Sequence, residues 1–197
     1  MRAARKCPAG QRPRGFTLVE ILVTLLLIGL LIAVVVPSVI NQAAKGEVSR
    51  VAEDLEAVRN AARLFRIDVG RWPGQLQQLV QRPASGATDV FGATIPDGLL
   101  GRWNGPYLET GTIPAGGLET ALGGVLLPAL DTLLWGNTAF LGIRVVPIGL
   151  EDARRISALL DGDTITDHDS DNAGRVRWHS GGGTDPDTLL FLGPPVE

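Results

Sequence analysis

Aspartates form the densest group of ligand-type side chains in the sequence. They lie at Asp161, Asp163, Asp167, Asp169 and Asp171. Hard oxygen donors clustered on a loop suit calcium, which takes about six to eight oxygens in a flexible geometry. Asp167 to Asp171 begins like an EF-hand loop, but Asn172 and Trp178 stand where that loop needs glycine and glutamate. Two interpretations stay open, a calcium site and a solvated acidic loop.

No arrangement of residues predicts catalysis. The two histidines, His168 and His179, lie in no recognisable metal-binding spacing, and we expect both at the surface. Serine, histidine and aspartate are all present, but the G-x-S-x-G sequence of a nucleophile elbow is absent. The glycine-rich segment 180–184 lacks the lysine of a phosphate-binding loop and predicts a flexible turn. We therefore expect a protein that is not an enzyme.

Glu20 lies inside the longest apolar stretch of the sequence. Almost every residue from Phe16 to Val36 is apolar, and the chain stays mostly apolar through Ile40. About 21 helical residues span about 30 Å, which is the thickness of a bilayer's hydrocarbon core. An ionised carboxylate there costs several kcal/mol unless it finds a partner, so Glu20 is a functional candidate. Pro37 closes the stretch.

The residues before this stretch are basic. Residues 1–15 contain Arg2, Arg5, Lys6, Arg12 and Arg14 and no acid. The positive-inside rule keeps such a leader in the cytoplasm. A secretory signal peptide is disfavoured because the apolar run is longer than a usual h-region and no A-x-A site follows it. A plain signal anchor remains an alternative.

The segment Arg14-Gly15-Phe16-Thr17-Leu18-Val19-Glu20, followed by the apolar run and Pro37, resembles the class III signal of type IV pilins and type II secretion pseudopilins. Residues 62–73 resemble the end of the long helix in major pseudopilins, and residues 101–108 resemble the W-x-G-P-Y-L turn of this group. Trp135-Gly136-Asn137 is similar to the W-G-N of the pseudopilin signature, although the preceding Asp-Pro is missing.

The resemblance implies processing and assembly. A prepilin peptidase would cut between Gly15 and Phe16, remove residues 1–15 and methylate the new N-terminus at Phe16. Glu20 would then meet the cationic N-terminus of a neighbouring subunit in a helical filament, which would neutralise both charges. Pro37 belongs to the same assembly half of the helix. An inner-membrane assembly platform, its cytoplasmic ATPase and a structural calcium in a late loop are implied as well.

Downstream of Pro37 the hydrophobic pattern becomes amphipathic. Apolar residues recur at steps of three and four from Val48 to Phe65, with charged residues on the other faces. Gly70 and Trp72-Pro73 are a stop signal. The sequence thus predicts one helix from Phe16 to about Asp68, loosened near Pro37 and Gly46. Residues 16–40 are its transmembrane and assembly half, and residues 41–70 its amphipathic half.

Residues 71–197 predict a periplasmic α+β region. The resemblance implies a short helix around Leu76 to Val80. The residues themselves predict a short helix from Glu151 to Leu160 and strands at 143–146, 175–178 and 189–192. Region 90–142 is rich in glycine and proline, and its apolar stretch, 118–135, is too interrupted to span a membrane. We expect that stretch to pack in the core or between subunits. The predicted fold is α+β, a long N-terminal helix packed on a small antiparallel sheet in a pilin-like lollipop.

Composition excludes several classes of protein. A chain of 197 residues that is 45% hydrophobic is neither disordered nor collagen-like. The net charge of −3 argues against a nucleic-acid partner. Without residues 1–15 the chain has no cysteine, and 13 basic residues face 21 acidic ones, a net charge of −8.

The leading hypothesis is a structural subunit of a prepilin-type filament, specifically a pseudopilin of a type II protein secretion system. It would cross the bacterial inner membrane once, with a cytoplasmic leader and a periplasmic C-terminal domain. One alternative is a type IV pilus subunit. Another is a membrane-anchored periplasmic calcium-binding module, which would tolerate the loss of Glu20 because its helix serves only as an anchor.

Overall fold

The structure is a computed structural model that describes residues 15–162, 165, 174–182 and 185–196. They divide into two compact units, with the boundary between Ala43 and Ala44. In chain order the elements are α1 (Leu18–Val69), α2 (Gln77–Val80), α3 (Asp97–Leu100), β1 (Leu118–Glu119), β2 (Val125–Leu126), β3 (Asp131–Trp135), β4 (Thr138–Val146), α4 (Leu150–Leu160), β5 (Val176–His179) and β6 (Thr188–Pro195).

The first unit contains the apolar part of α1. Leu18–Val36 has a mean hydropathy of 3.0, and none of it is buried. This helix is long and apolar enough to cross a membrane. The backbone stays helical through Pro37 and Gly46, so the loosening that the sequence predicts there is not observed as a break. An interior proline costs about 3 kcal/mol, because it removes one backbone donor and clashes with the preceding turn, and a glycine costs about 1 kcal/mol relative to alanine. Both costs are local, and the 52-residue helix continues past them.

The second part of α1 buries one face in the core of the second unit. Val51, Leu55 and Phe65 are fully buried, as the three- and four-residue spacing predicts. The helix ends at Val69 because Gly70 adopts a left-handed φ of 78° and donates its N–H to the carbonyl oxygen of Arg66 at 3.0 Å. The predicted stop signal is confirmed.

The turn with the W-x-G-P-Y-L pattern locks the end of α1 to the loops that follow. Trp103 Nε1 donates to the carbonyl oxygen of Gln78 at 2.9 Å, and the Tyr107 hydroxyl donates to Asp68 Oδ2 at 2.8 Å. The two rings meet edge to face with centroids 5.6 Å apart. A Cβ on Gly105 would lie 2.5 Å from the Trp103 ring, so only glycine fits there.

The strands form one antiparallel sheet in the order β1-β2-β4-β6-β5, and β3 pairs with β4 outside this path. The inner sheet face is fully buried at Ile143, Val145, Val176 and Phe191, in one cluster with the apolar face of α1. The layers are thus a helix on an antiparallel sheet. The predicted α+β fold class is confirmed.

The sequence predicts strands correctly only in the last third of the chain. The predicted strands 143–146 and 189–192 lie within β4 and β6, and 175–178 overlaps β5 from Val176 onward. The predicted helix 151–160 lies within α4. No strand is assigned to region 90–142 from the sequence, whereas β1, β2, β3 and the start of β4 lie there. Strands of two residues give no alternation pattern, and the turn between β3 and β4 depends on Gly136 at a φ of 57°. Of the stretch 118–135, expected to pack in the core or between subunits, Leu126 and Leu130 are buried in the core, whereas Leu134 is exposed.

Candidate assembly site

Gly15 and Phe16, the predicted cleavage residues, lie just before α1. A Cβ built on Gly15 would have no heavy atom within 4 Å, and Gly15 lacks a positive φ. Phe16 is 79% exposed. A larger residue at position 15 would therefore fit the described chain without a clash. If glycine is required there, the reason is contact with another molecule.

Thr17 and Glu20 cap the start of α1. The backbone N–H of Glu20 donates to Thr17 Oγ1 at 3.1 Å, and the backbone N–H of Thr17 donates to Glu20 Oε2 at 3.5 Å. This reciprocal pair is a capping box, which satisfies two amides that have no partner in the helix. This role of Glu20 was not predicted from the sequence, although the T-x-x-E pattern before an apolar run signals it.

Capping uses little of the carboxylate's bonding capacity. The bond to Thr17 is long, and an ionised carboxylate has about four acceptor positions. No basic side chain in the described residues forms a salt bridge with Glu20. The carboxylate therefore remains available to a cation supplied by another molecule.

The helix that carries Glu20 exposes a continuous apolar surface. Within Leu18–Val36, its large apolar side chains are exposed to between 45% at Val36 and 78% at Leu18. An aqueous environment for this surface would be strongly unfavourable, at about 25 cal/mol per Å² of apolar area. The arrangement is suited to lipid or to the same helix of other subunits.

Asp161 is the one predicted calcium ligand within the described residues, and its carboxylate is engaged by protein groups. Arg175 Nε donates to Oδ1 at 3.0 Å, and the Val176 N–H donates to Oδ2 at 2.8 Å. Arg175 also reaches Glu56 Oε1 on α1, at 2.6 Å. Although burial lowers the pKa of Arg175, its hydrogen bonds to Glu56 and Asp161 raise it above its ordinary value. The network ties α1, the end of α4 and β5 together.

The remaining predicted ligands, Asp163, Asp167, Asp169 and Asp171, lie outside the described residues. Within those residues no three histidine, cysteine, aspartate or glutamate side chains are grouped to hold a metal. His179 is exposed at the end of β5, as expected, and His168 is also outside the described range. The calcium site stays a prediction.

Two family models match adjoining parts of the chain. The prokaryotic N-terminal methylation motif matches residues 11–36, and the model of type II secretion system protein G matches residues 38–121. The first match contains Gly15, Phe16 and Glu20. The second covers the amphipathic half of α1, the W-x-G-P-Y-L turn and the first strand residues.

Curated relatives give the same result over part of their length. The chain is 37% identical over 78 residues to type II secretion system core protein G of Klebsiella pneumoniae, covering 38% of this chain and 56% of that protein. The corresponding protein of Escherichia coli strain K12 is 33% identical over 78 residues, or 38% of this chain and 54% of the relative. The chain thus spans about half the length of the curated relatives it matches. No solved structure matches it significantly.

These matches confirm the resemblance to the pilin and pseudopilin family that Gly15, Phe16 and Glu20 indicate. Residues after 121 lie beyond the protein G model. They include β3 to β6 and the network around Arg175.

Proposed function

We propose that this chain is a structural subunit of a type II secretion pseudopilin filament. The proposal is based on three features that occur together in the N-terminal part of the chain. A methylation motif surrounds Gly15 and Phe16, a helix of membrane length exposes its whole apolar surface, and Glu20 on that helix forms no salt bridge in the described chain. In a filament, neighbouring subunits would supply both a cation for Glu20 and an apolar surface for the helix.

The proposed pathway places the chain in the bacterial inner membrane. Prepilin peptidase would remove residues 1–15 in the cytoplasm, and the C-terminal unit would lie in the periplasm, as the basic leader favours. An assembly platform and its cytoplasmic ATPase would then add the subunit to a filament of related subunits. The relatives named above are type II secretion proteins, which favours a pseudopilin over a type IV pilus subunit.

We also propose calcium as a structural ion of the acidic loop. Both carboxylate oxygens of Asp161 are already engaged by Arg175 and Val176. The ion would therefore be held chiefly by the other four aspartates, Asp163, Asp167, Asp169 and Asp171, with carboxylate oxygens as the suitable donors.

Processing at Gly15 tests the proposed function. We expect Gly15→Trp to retain the leader, because an indole would occupy the peptidase site that a glycine leaves open. The retained chain should be 15 residues longer and should not assemble. The intact mass of the membrane-extracted protein measures this directly.

Gly10→Trp is the matched control, since it adds the same bulk to the leader five positions upstream of the cut. It should be processed to the normal mature mass. A mature chain of normal length from Gly15→Trp would contradict the prepilin assignment.

A further inference from the structure

One cation and several aromatic and apolar side chains share the outer face of the sheet. The Cζ atom of Arg177 lies 4.2 Å from the centroid of the Trp135 ring, and Trp135 lies 6.2 Å from Phe140. Leu190 is the register partner of Arg177, so it shares the same face. We call Trp135, Phe140, Arg177 and Leu190 the Trp135–Arg177 patch.

Arg177 lacks a counter-charge among the residues that the structure describes. Its Nε is buried and has no hydrogen-bond partner, and burial lowers its pKa. Its neighbour on this face, Arg144, instead pairs with Asp131 at 2.9 Å. The Trp135–Arg177 patch is thus a partly desolvated cation on an aromatic surface, which favours contact with a carboxylate.

An acidic pair occupies the outward face of α1. Glu53 and Asp54 are exposed, while Val51 and Leu55 point into the core. Within the described chain neither acid forms a salt bridge. Arg50, one turn earlier, is near enough to act on Asp54 electrostatically without pairing with it. The pair therefore carries negative charge at the surface without a salt bridge, and Arg50 offsets only part of the charge of Asp54.

The two charged surfaces face in opposite directions. The apolar side of α1 covers the inner sheet face, since Leu55 and Val176 belong to one buried cluster. Glu53 lies on the side of α1 away from that cluster, with Asp54 exposed beside it. Arg177 lies on the sheet face opposite to the buried Val176 and Trp178. The two surfaces of one chain therefore cannot contact each other. When copies are stacked in the same orientation, the acidic pair of one copy can contact the Trp135–Arg177 patch of the next. Each contact leaves one surface of each kind free, so the contact can repeat from copy to copy, and it gives an open filament when the rotation between copies does not close a ring.

We propose that the Trp135–Arg177 patch of one copy binds Glu53 and Asp54 of the next copy, as a repeating contact between C-terminal units. This inference rests on the proposed filament function. The Trp135–Arg177 patch lies after residue 121, beyond the segment matched by the protein G model, and the inference gives it a role in contacts between subunits. The partner is a second copy of this chain, identified by its complementary charge.

The test joins the two surfaces chemically in cells that assemble the full chain. In a Cys7→Ser background, one copy carries Ala57→Cys, beside the acidic pair, and a co-expressed copy carries Asn137→Cys, beside Trp135. A short bis-maleimide should link them. Val19→Cys, in the apolar helix of both copies, reports assembly independently of this contact.

Charge reversal gives the decisive comparison. We expect Arg177→Glu, or Glu53→Arg with Asp54→Arg, to lower the 57–137 crosslink about tenfold, because like charges then face each other. Combining both reversals should restore it to within about twofold. Arg102→Glu, the same charge change at another exposed arginine, should leave the crosslink unchanged.

The outcomes separate this contact from the filament itself. Val19 crosslinks without a 57–137 crosslink would overturn the contact and leave the filament proposal standing. Loss of the Val19 crosslinks in the parent chain would overturn both. Should Arg177→Glu fail to fold, the acidic reversals decide alone, since Glu53 and Asp54 lie on an exposed helix face. A crosslink that these reversals leave unchanged would reject the proposed pairing.

Discussion

At the scale of single residues, Glu20 has two separable roles. Its carboxylate completes the capping box with Thr17, and its charge is available for a partner outside the chain. Sequence reasoning found the charge because an acid in an apolar run is costly. The capping role is seen only in the structure. It changes how Glu20 should be tested, because substitution by alanine would remove the cap and the charge together.

We expect Glu20→Gln to lower crosslinking between subunits about tenfold, because a neutral amide keeps an oxygen for the cap but cannot pair with a cationic N-terminus. Thr17→Ala keeps the charge and weakens the cap, at a cost of about 1 kcal/mol. It should assemble within about twofold of the parent chain. Crosslink yields of processed protein in membranes measure both variants. Equal losses from Glu20→Gln and Thr17→Ala would show that the cap, not the charge, matters.

Tyr107 is a second residue whose environment makes a measurable prediction. Its pKa is raised to about 12, chiefly by burial; the hydrogen bond to the Asn104 backbone amide opposes this rise, and the hydrogen bond to Asp68 adds to it. An unfolded tyrosine titrates near about 10. The folded state therefore holds the proton more tightly, so this stabilisation is fully present below about pH 10 and is lost between about pH 10 and 12.

Because Tyr107 is the only tyrosine, tyrosinate absorbance of the full chain in detergent reports it alone. The midpoint should lie near pH 12 in the folded protein and near about 10 in denaturant. Asp68→Asn should lower the folded midpoint but keep it above that of the unfolded chain, since burial is the larger cause. A midpoint that does not change on unfolding would contradict the buried hydroxyl.

At the scale of elements, the Arg175 network joins pieces that are far apart in sequence. We expect Arg175→Ala to lower the free energy of unfolding by about 1–3 kcal/mol, because Asp161 and Glu56 lose their shared cation. The lower part of that range applies because the Arg175 side chain is 35% exposed. Denaturant unfolding of the full chain in detergent, followed by tryptophan fluorescence, measures it. Arg155→Ala, which breaks a more exposed pair with Asp152, should change stability by no more than about 0.5 kcal/mol.

The same measurement tests calcium in the acidic loop. If calcium is bound, chelator should lower stability by about 2.7 kcal/mol relative to calcium at a hundredfold excess over the dissociation constant. Asp169→Asn should remove most of that difference. Arg175→Ala should destabilise equally with and without chelator, because its partners are protein groups. Unchanged stability in chelator at matched ionic strength would remove the calcium proposal.

At the scale of the whole molecule, the basic leader and the apolar helix predict the orientation of the chain in the membrane. We expect protease added to spheroplasts to digest the C-terminal unit, because the basic residues 1–15 keep the N-terminal end in the cytoplasm during insertion, before they are removed. The same protease should leave a cytoplasmic marker intact. Immunoblotting for residues 44–197 measures the outcome. Protection of that unit in intact spheroplasts, with digestion after lysis, would reverse the proposed orientation.

By itself, the sequence determined the processing motif, the membrane-length helix, the amphipathic half of α1 and its stop at Gly70. These features depend on local spacing and on residues that act within one or two helical turns. The last three strands were also predictable, because their β-propensity extends over four or more residues.

Contacts between residues that are far apart in the sequence could be identified only from the tertiary structure. Strands β1 and β2 are too short to show a pattern and exist because β4 offers them a hydrogen-bonding edge. Arg175 is one of many arginines in the sequence until folding places it beside Glu56, 119 positions away. Trp135 and Arg177 likewise meet only when β3 and β5 join one twisted sheet. Such contacts depend on long-range pairing, which local spacing does not encode.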